Sequence, residues 1–237
     1  MNNPMKIAVI IPALNEANNI GDLVRETLAQ PVLQSGNQVN SQVIVVDNGS
    51  TDETALEAQR AGAQVVEEPR KGYGYACAAG VAAADRAEIV VFLDGDYSSL
   101  PSELERVITP FQTEEADLVL GSRVLGHIAA GAMPPHQRFG NWLTSHLMRW
   151  IYRIEVTDLG PYRSIRRELL VELQMQEMTF GWPTEMTVKA ARRKAHIVEV
   201  PVSHMSRRSG QSKVSGTIRG SILAAYYILG VTLRYAF

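Results

Sequence analysis

Cysteine is nearly absent: Cys77 is the only one among 237 residues. A single cysteine excludes an intramolecular disulfide, and its alanine-rich surroundings favour a buried, inert thiol over a nucleophile. Neither sign of charge dominates, because 23 lysines and arginines stand against 25 aspartates and glutamates, for a net charge of −2. A chain without an overall basic field is not expected to bind nucleic acid. We therefore expect a folded protein in a reducing, cytoplasmic compartment.

Apolar runs long enough to span a membrane are also absent. The uncharged segment 221–233 holds thirteen residues, whereas a spanning helix needs about 20. We predict that residues 217–237 form an apolar helix that is buried in protein or lies on a membrane surface. The N-terminus runs directly into an apolar strand, so no secretory leader is expected. The five histidines lack the spacing of metal ligands, and no nucleophile-elbow sequence supports a serine hydrolase.

Short apolar segments alternate with helical patterns in the first half of the chain. The predicted strands are 7–11, 43–46, 64–67 and 89–93, and the predicted helices are 18–28, 51–60 and 73–84. Strands that are apolar on both faces and separated by helices indicate an α/β fold with a mostly parallel sheet covered on both sides. In the second half we predict strands 118–120 and 196–202, a loop at 126–137, and helices 136–153, 183–194 and 217–237. Ligands of such sheets bind beyond the carboxyl ends of the strands, which places the chemistry after Ile11, Val46 and Leu93.

Polar motifs follow the first two strands. Residues 12–16 read Pro-Ala-Leu-Asn-Glu, and residues 47–52 read Asp-Asn-Gly-Ser-Thr-Asp. Their ordinary role is to make tight turns and helix caps. An acidic side chain at a strand end can also accept hydrogen bonds from a ribose or a base.

Two carboxylates, Asp94 and Asp96, follow the fourth strand with one glycine between them. They repel each other unless a positive group lies between them, and a divalent cation that bridges to phosphate oxygens would serve. A solvated acidic turn is the alternative, but the position after a buried strand favours the metal site. Residues 70–74, which include Lys71 and Gly72, precede a helix and are typical of either a phosphate-binding turn or a hinge.

In this order, with Gly-Ser-Arg at 121–123, the motifs resemble those of family-two glycosyltransferases. Residues 157–163 and 208–213 resemble the polyprenyl-phosphate sugar transferases, which include the dolichyl-phosphate enzymes. The resemblance implies a GT-A fold, a single domain with a mostly parallel sheet flanked by helices and a C-terminal apolar helix. Residues 1–216 would form the transferase domain, with a nucleotide-sugar half at 1–122 and an acceptor half at 123–216.

The same resemblance implies three sets of site residues. Those that would bind the nucleotide sugar are Pro12, Ala13, Asn15, Glu16, Asp47, Lys71, Gly72, Asp94 and Gly95. Those that would bind phosphate groups of donor and acceptor are Arg123, Arg163, Arg208 and Lys213. The catalytic candidates are Asp96, Arg123, Asp158 and Glu185, and the metal ligands for Mg²⁺ or Mn²⁺ are Asp94 and Asp96. Glu185 can instead cap a helix beside a packed Trp182, and that interpretation is slightly favoured over one in which Trp182 stacks on the sugar. The glutamine that often follows the acidic motif is missing, so a third protein ligand stays open.

The expected activity is inverting transfer of a hexose from a GDP- or UDP-sugar to a polyprenyl phosphate, by a peripheral protein at the inner face of a membrane. The motifs do not distinguish the sugar, the nucleotide or the oligomeric state, and a homo-oligomer stays open. One alternative is the same chemistry on a soluble hydroxyl acceptor. Another is a non-catalytic module that binds a nucleotide or a lipid surface. A sugar nucleotidyltransferase is excluded, because residues 12–16 lack the glycine and the base that would hold a triphosphate.

Overall fold

The computed structural model describes residues 5–34, 41–84, 86–209 and 227–236. The strands of the described chain are β1 (Ile7–Ala13), β2 (Gln42–Asp47), β3 (Gln64–Glu67), β4 (Ile89–Phe92), β5 (Leu118–Ile128), β6 (Arg163–Arg166) and β7 (Ile197–His204). The α-helices are α1 (Ala17–Leu28), α2 (Pro31–Gln34), α3 (Thr54–Arg60), α4 (Tyr73–Ala83), α5 (Leu104–Ile108), α6 (Pro110–Thr113), α7 (Pro135–Tyr152), α8 (Arg167–Leu173) and α9 (Trp182–Arg192). A 3₁₀ turn, Pro101–Glu103, precedes α5, and residues 227–234 are helical.

All these strands join one sheet in the order β3-β2-β1-β4-β6-β5-β7. The pairs β1–β2, β1–β4, β2–β3 and β5–β7 are parallel, whereas β6 is antiparallel to both of its neighbours. The predicted α/β class with a mostly parallel sheet is therefore confirmed. Parallel strands need crossover connections, and α1, α3 and α4 supply them in the first half of the chain.

The core lies on both faces of the sheet, as strands that are apolar on both faces require. Along β1, Ile7, Val9 and Ile11 pack with α1 and α5 on one face, whereas Ala8 and Ile10 pack with α4 and α9 on the other. The period of two therefore divides a continuous apolar run between two buried layers. The carboxyl ends of β1, β2 and β4 meet at one edge, where the polar motifs follow.

The second half departs from the sequence expectation. Strand β5 continues to Ile128, into the predicted loop, because its outer part pairs with β7 beyond an irregularity between Ser122 and His127. Strand β6 was not predicted, since it is short and bounded by arginines. Residues 227–234 agree with the predicted last helix; the rest of 217–237, except 235 and 236, lies outside the described residues. In the described chain no helix is long and apolar enough to cross a membrane.

Two helical glycines make a matched test of this packing. A Cβ at Gly80 of α4 would lie 2.4 Å from Cγ2 of Ile10, whereas a Cβ at Gly140 of α7 would have no atom within 4 Å. Gly80→Ala should lower the free energy of unfolding by about 1–2 kcal/mol, because overpacking outweighs the gain in helix propensity. Gly140→Ala should raise it by about 0.5–1 kcal/mol. Urea denaturation of both variants checks this, and equal shifts would contradict the close contact of α4 with β1.

Candidate active site

The turns after β1 and β2 are bonded to each other. Asn15 has a left-handed backbone (φ 52°), which asparagine tolerates better than most residues. Its N–H donates to Ser50 Oγ at 2.9 Å, and its side-chain oxygen accepts from Thr51 N at 2.7 Å. Asp47 accepts from Ser50 N at 3.0 Å. The structure therefore brings the first two motifs into one wall, which runs from Pro12 and Ala13 at the end of β1 to the partly buried Asp47.

Asn48 fastens a third segment to this wall. Its side-chain amide donates to the carbonyls of Glu68 (3.0 Å) and Arg70 (2.7 Å) and accepts from Gly72 N (2.9 Å). Gly72 has a φ of 153°, and a Cβ there would lie 2.4 Å from the carbonyl oxygen of Met178. Only glycine fits this close approach. Lys71 is exposed beside it, at the edge of the sheet where β2 ends.

Asp94 and Asp96 follow β4 at the same edge, and both are partly buried. Burial and the nearby charge of Asp96 raise the pKa of Asp94 to about 7. Tyr73 Oη, at the start of α4, lies 3.4 Å from Asp94 Oδ1. Asp96 accepts from Ser98 N at 2.9 Å. The carboxylate repulsion expected from the sequence is thus present in the fold.

Arg207 supplies positive charge to this acidic edge. It forms an ion pair with Glu16 and a second one with Asp96, in which Nη1 and Oδ2 are 3.0 Å apart. Its buried Nε has no hydrogen-bond partner among the described residues. The motifs did not assign Arg207 to the active site, although it stands next to Arg208.

The short segment around Arg207 is held over the site by further contacts. Met205 N donates to the Ser98 carbonyl at 2.8 Å. Arg208 lies over the Tyr97 ring, 3.8 Å from its centroid, and pairs with Asp22 at 3.4 Å. Arg208 is therefore brought to the site, half exposed, whereas Lys213 lies outside the described residues.

Arg123 and Asp158 form a forked ion pair beside the carboxylates. Arg123 Nε and Nη2 donate to the two Asp158 oxygens at 2.6 and 2.7 Å, and Arg123 N donates at 2.8 Å. Asp158 is fully buried; burial raises its pKa, but the Arg123 charge and hydrogen bonds outweigh that effect, and the pKa is lowered. A buried carboxylate held in this way is a poor proton acceptor, so among catalytic roles the geometry favours a positioning one for Asp158. It positions Arg123, whose charge also acts on Asp94.

Arg163 has a structural role, which corrects its assignment to a substrate phosphate. Its side chain is 1% exposed and donates to the carbonyl of Gly160, to the carbonyl of Pro183 (2.6 Å) and to Thr187 Oγ1 (3.1 Å). Burial lowers the pKa of Arg163 to about 10. Polar partners inside the protein thus take up its donors, and they tie β6 to α9.

Glu185 is also enclosed. It is fully buried and accepts from Gln176 N, from Glu177 N and, at 2.7 Å, from Tyr235 Oη, while Lys189 Nζ lies 2.9 Å away. The catalytic assignment of Glu185 is therefore corrected in favour of a structural one. Trp182 is likewise buried, edge-on to Phe92 at 6.5 Å between ring centroids, which is a core position and not a sugar platform.

His204, at the end of β7, is a site residue that the sequence reasoning did not select. Burial lowers its pKa, as does the nearby charge of Arg123, and the charges of Asp96 and Asp158 also act on it. Its signal in the sequence was weak, because the predicted strand ended two residues earlier. These charge effects place its side chain near Asp96 and the Arg123–Asp158 pair.

The donor set fits a divalent cation that is shared with a phosphate. Within the described ranges no group of three or more His, Cys, Asp and Glu side chains is arranged to hold a metal alone. Mg²⁺ typically uses one or two carboxylates and takes its other ligands from water and substrate phosphates. Asp94 and Asp96, which repel each other at the end of a buried strand, suit such a partial shell.

Known proteins resemble this chain over most of its length. Residues 8–174 match Glycosyl transferase family 2. An uncharacterized glycosyltransferase of Mycobacterium tuberculosis is 38% identical over 218 residues, covering 92% of this chain and 94% of that protein. The undecaprenyl-phosphate mannosyltransferase of Micrococcus luteus is 30% identical over 246 residues, covering 98% of this chain and 96% of that protein.

A solved structure shares the fold. Glucosyl-3-phosphoglycerate synthase from Mycobacterium tuberculosis, in complex with Mn²⁺, uridine diphosphate and glucosyl-3-phosphoglycerate, gives a TM-score of 0.76 at 22% identity, covering 98% of this chain and 80% of that one. This likeness supports the GT-A-like architecture. Because the family match spans more than half of the chain, the protein belongs to glycosyltransferase family 2, and it resembles the polyprenyl-phosphate sugar transferases, as the motifs predicted.

Proposed function

We propose that this glycosyltransferase moves a hexose from a GDP- or UDP-sugar to a polyprenyl phosphate, with inversion and with the help of Mg²⁺ or Mn²⁺. The observation that carries the proposal is the meeting of Asp94, Asp96 and Arg123 at the carboxyl edge of the sheet. A relative supports this choice of acceptor: the similar protein of Micrococcus luteus is an undecaprenyl-phosphate mannosyltransferase. The Mn²⁺ and uridine diphosphate bound by the synthase with the same fold support the metal and the donor class.

The donor would lie along the wall formed after β1 and β2. Pro12, Ala13, Asn15 and Glu16 face the nucleoside in this arrangement, and Asp47 accepts from its ribose or base. Asp94, Gly95 and Asp96 would hold the diphosphate through the divalent cation, which neutralises charge on the departing nucleoside diphosphate. Lys71 adds positive charge just before the start of α4. Donor binding also requires that the two ion pairs of Arg207 open, because they occupy Glu16 and Asp96.

The acceptor phosphate would meet the arginines. Arg123 is pre-oriented by Asp158, so little side-chain entropy is lost when it binds an oxyanion. Arg208 and Lys213 would complete the phosphate site. Direct displacement by the phosphate oxygen at the anomeric carbon, from the face opposite to the leaving group, inverts its configuration.

The buried state of the candidate bases favours a phosphate acceptor. An alcohol needs a general base, and the two carboxylates considered for that role, Asp158 and Glu185, are held by partners inside the protein. A phosphate is already ionised near neutral pH, so it needs none. The competing function is transfer to a soluble hydroxyl acceptor, which the fold shared with glucosyl-3-phosphoglycerate synthase supports.

Asp94→Asn should abolish transfer, with a loss of about 100-fold or more in kcat/KM, yet stabilise the metal-free protein at pH 8. Because the pKa of Asp94 is raised from 3.8 to about 7, its ionisation costs stability progressively above about pH 4, and the full cost is present above about pH 7. Thermal unfolding in EDTA at pH 8 and at pH 4, where the cost is small, checks the sign. Glu172→Gln, in an exposed pair with Arg193, is the control. Normal turnover with metal still required would contradict the metal assignment.

Asp158→Asn should lower the free energy of unfolding by about 3–5 kcal/mol, because it leaves the largely buried Arg123 guanidinium without its counter-charge. Urea denaturation measures this, with Glu172→Gln, at the exposed pair, expected to change stability by no more than about 1 kcal/mol. In steady-state assays of the folded variant, kcat should fall more than donor KM changes. A fall in stability with unchanged kcat would show that Asp158 does not position Arg123 for the reaction.

The acceptor is tested with three matched compounds: a short polyprenyl phosphate, the corresponding polyprenol and 3-phosphoglycerate. Purified protein in detergent with Mn²⁺ and a panel of GDP- and UDP-hexoses should release nucleoside diphosphate only with the polyprenyl phosphate. NMR of the product should show the inverted anomer. Transfer to 3-phosphoglycerate alone would establish the soluble function instead, and transfer to polyprenol would show that a base operates.

A further inference from the structure

Helix α7 exposes its largest apolar side chains. Phe139, Trp142 and Trp150 are 61%, 52% and 80% exposed, whereas the side that packs on the domain is formed by Thr144, Ser145 and Met148. A surface helix ordinarily buries its apolar stripe and exposes its polar one. The aromatic residues lie at positions i, i+3 and i+11, so they share one stripe of the helix. The apolar stripe of this helix therefore faces away from the protein.

Two of the exposed aromatic side chains contact each other and a neighbouring histidine. Phe139 and Trp142 stack with ring centroids 5.8 Å apart, and Trp142 lies 4.4 Å from the ring of His146. Val124 and Leu125, on the outer part of β5, are also more than half exposed. Of the eight large apolar side chains exposed in the described chain, five belong to α7 or β5, so the patch is concentrated on one side of the molecule.

The charged side chains of α7 are all basic. Arg138 and Arg149 are exposed on the helix, and Arg153 and Glu155, also exposed, follow it. Residues 135–152 contain no aspartate or glutamate. An aromatic stripe flanked by arginines is complementary to an anionic lipid surface, where rings lie among acyl chains and guanidinium groups meet headgroups. A symmetric contact between two copies of α7 would instead bring its arginines together, and the helix has no carboxylate to pair with them.

A cavity lies at the same face and reaches Thr157, the residue before Asp158. It has a volume of 410 Å³; apolar side chains such as Val124, Ile128 and Trp142 line it, and Arg138 and Arg149 lie at its wall. That volume falls in the range of small-molecule pockets, about 300–1,000 Å³. Thr157, at one side of the cavity, bonds Ser122 at 2.6 Å and precedes Asp158, the partner of Arg123. An apolar chain in the cavity would thus have its phosphate end close to Arg123.

We propose that the exposed face of α7 docks the protein on an anionic membrane surface and presents the cavity to the isoprenoid chain of the acceptor. The docking surface stands on the geometry of α7 alone; the occupant of the cavity rests on the proposed function. This places a membrane contact on α7. In the described residues 227–236, Val231 and Thr232 are buried, and the Thr232 carbonyl accepts from Tyr152 Oη at 2.5 Å.

The test is co-sedimentation of the full chain with phosphatidylcholine vesicles, with and without phosphatidylglycerol, in the absence of donor and acceptor. The double variant Trp142→Ser/Trp150→Ser should lose about tenfold or more in vesicle affinity. Leu56→Ser/Val171→Ser is the control, since it removes two exposed apolar side chains (41% and 55%) from α3 and α8 and should bind as the wild type does. Arg149→Gln/Arg153→Gln should lose the preference for phosphatidylglycerol.

Tryptophan fluorescence gives a second readout. Trp182 is buried, so a blue shift on vesicle addition reports Trp142 and Trp150. Wild-type protein that stays in the supernatant, or equal binding of all variants, would overturn the proposal. So would a dimer in sedimentation velocity that the tryptophan variant alone dissociates, because a second copy would then cover the face. Failure of the proposed function is separate: it would appear as lack of transfer to polyprenyl phosphate in detergent, whatever the vesicles show.

Discussion

Positive charge at the end of β4 is the constraint on which the rest of the site depends. Asp94 and Asp96 leave a buried strand together, and burial with mutual repulsion raises the pKa of Asp94 to about 7. Two arginines supply positive charge near this pair. Arg207 pairs with Asp96 and Glu16, and Asp158 holds Arg123 in place. In the proposed function this arrangement would serve the diphosphate that leaves in the reaction, because the carboxylates would hold its counter-cation. Binding of that cation would also relieve the repulsion between the two carboxylates.

The same electrostatic rule explains the two corrected site residues. An ionised group inside a protein must find hydrogen-bond partners there, and both Arg163 and Glu185 do. Arg163 ties β6 to α9, and Glu185 holds the turn at 176–177 and the last helix through Tyr235. Because Arg163 and Glu185 are paired inside the protein, the charged groups available to a substrate are those at the open edge of the sheet. This supports the proposed anionic acceptor over an alcohol.

The proposed docking of α7 would place this edge beside a membrane. Strand β5 leads from Arg123, close to the acidic pair, to the exposed apolar residues beside α7. A lipid acceptor has one charged end and one apolar end, and the protein offers a basic site and an apolar cavity on either side of Thr157.

Local pattern in the sequence was enough to determine the parallel half of the sheet and the motifs at its carboxyl edge. Apolar runs such as Ile7–Ile11 and the turns after them depend on neighbours in the chain, so periodicity and turn chemistry identify them. Strand β6 and the outer part of β5 depend on pairing with distant strands, which no local pattern records. The roles of Arg163, Glu185 and Arg207 were likewise decided only by the tertiary structure. An arginine or a glutamate looks the same in a sequence whether it faces a substrate or a buried carbonyl, and the cost of burying its charge determines which partner it takes.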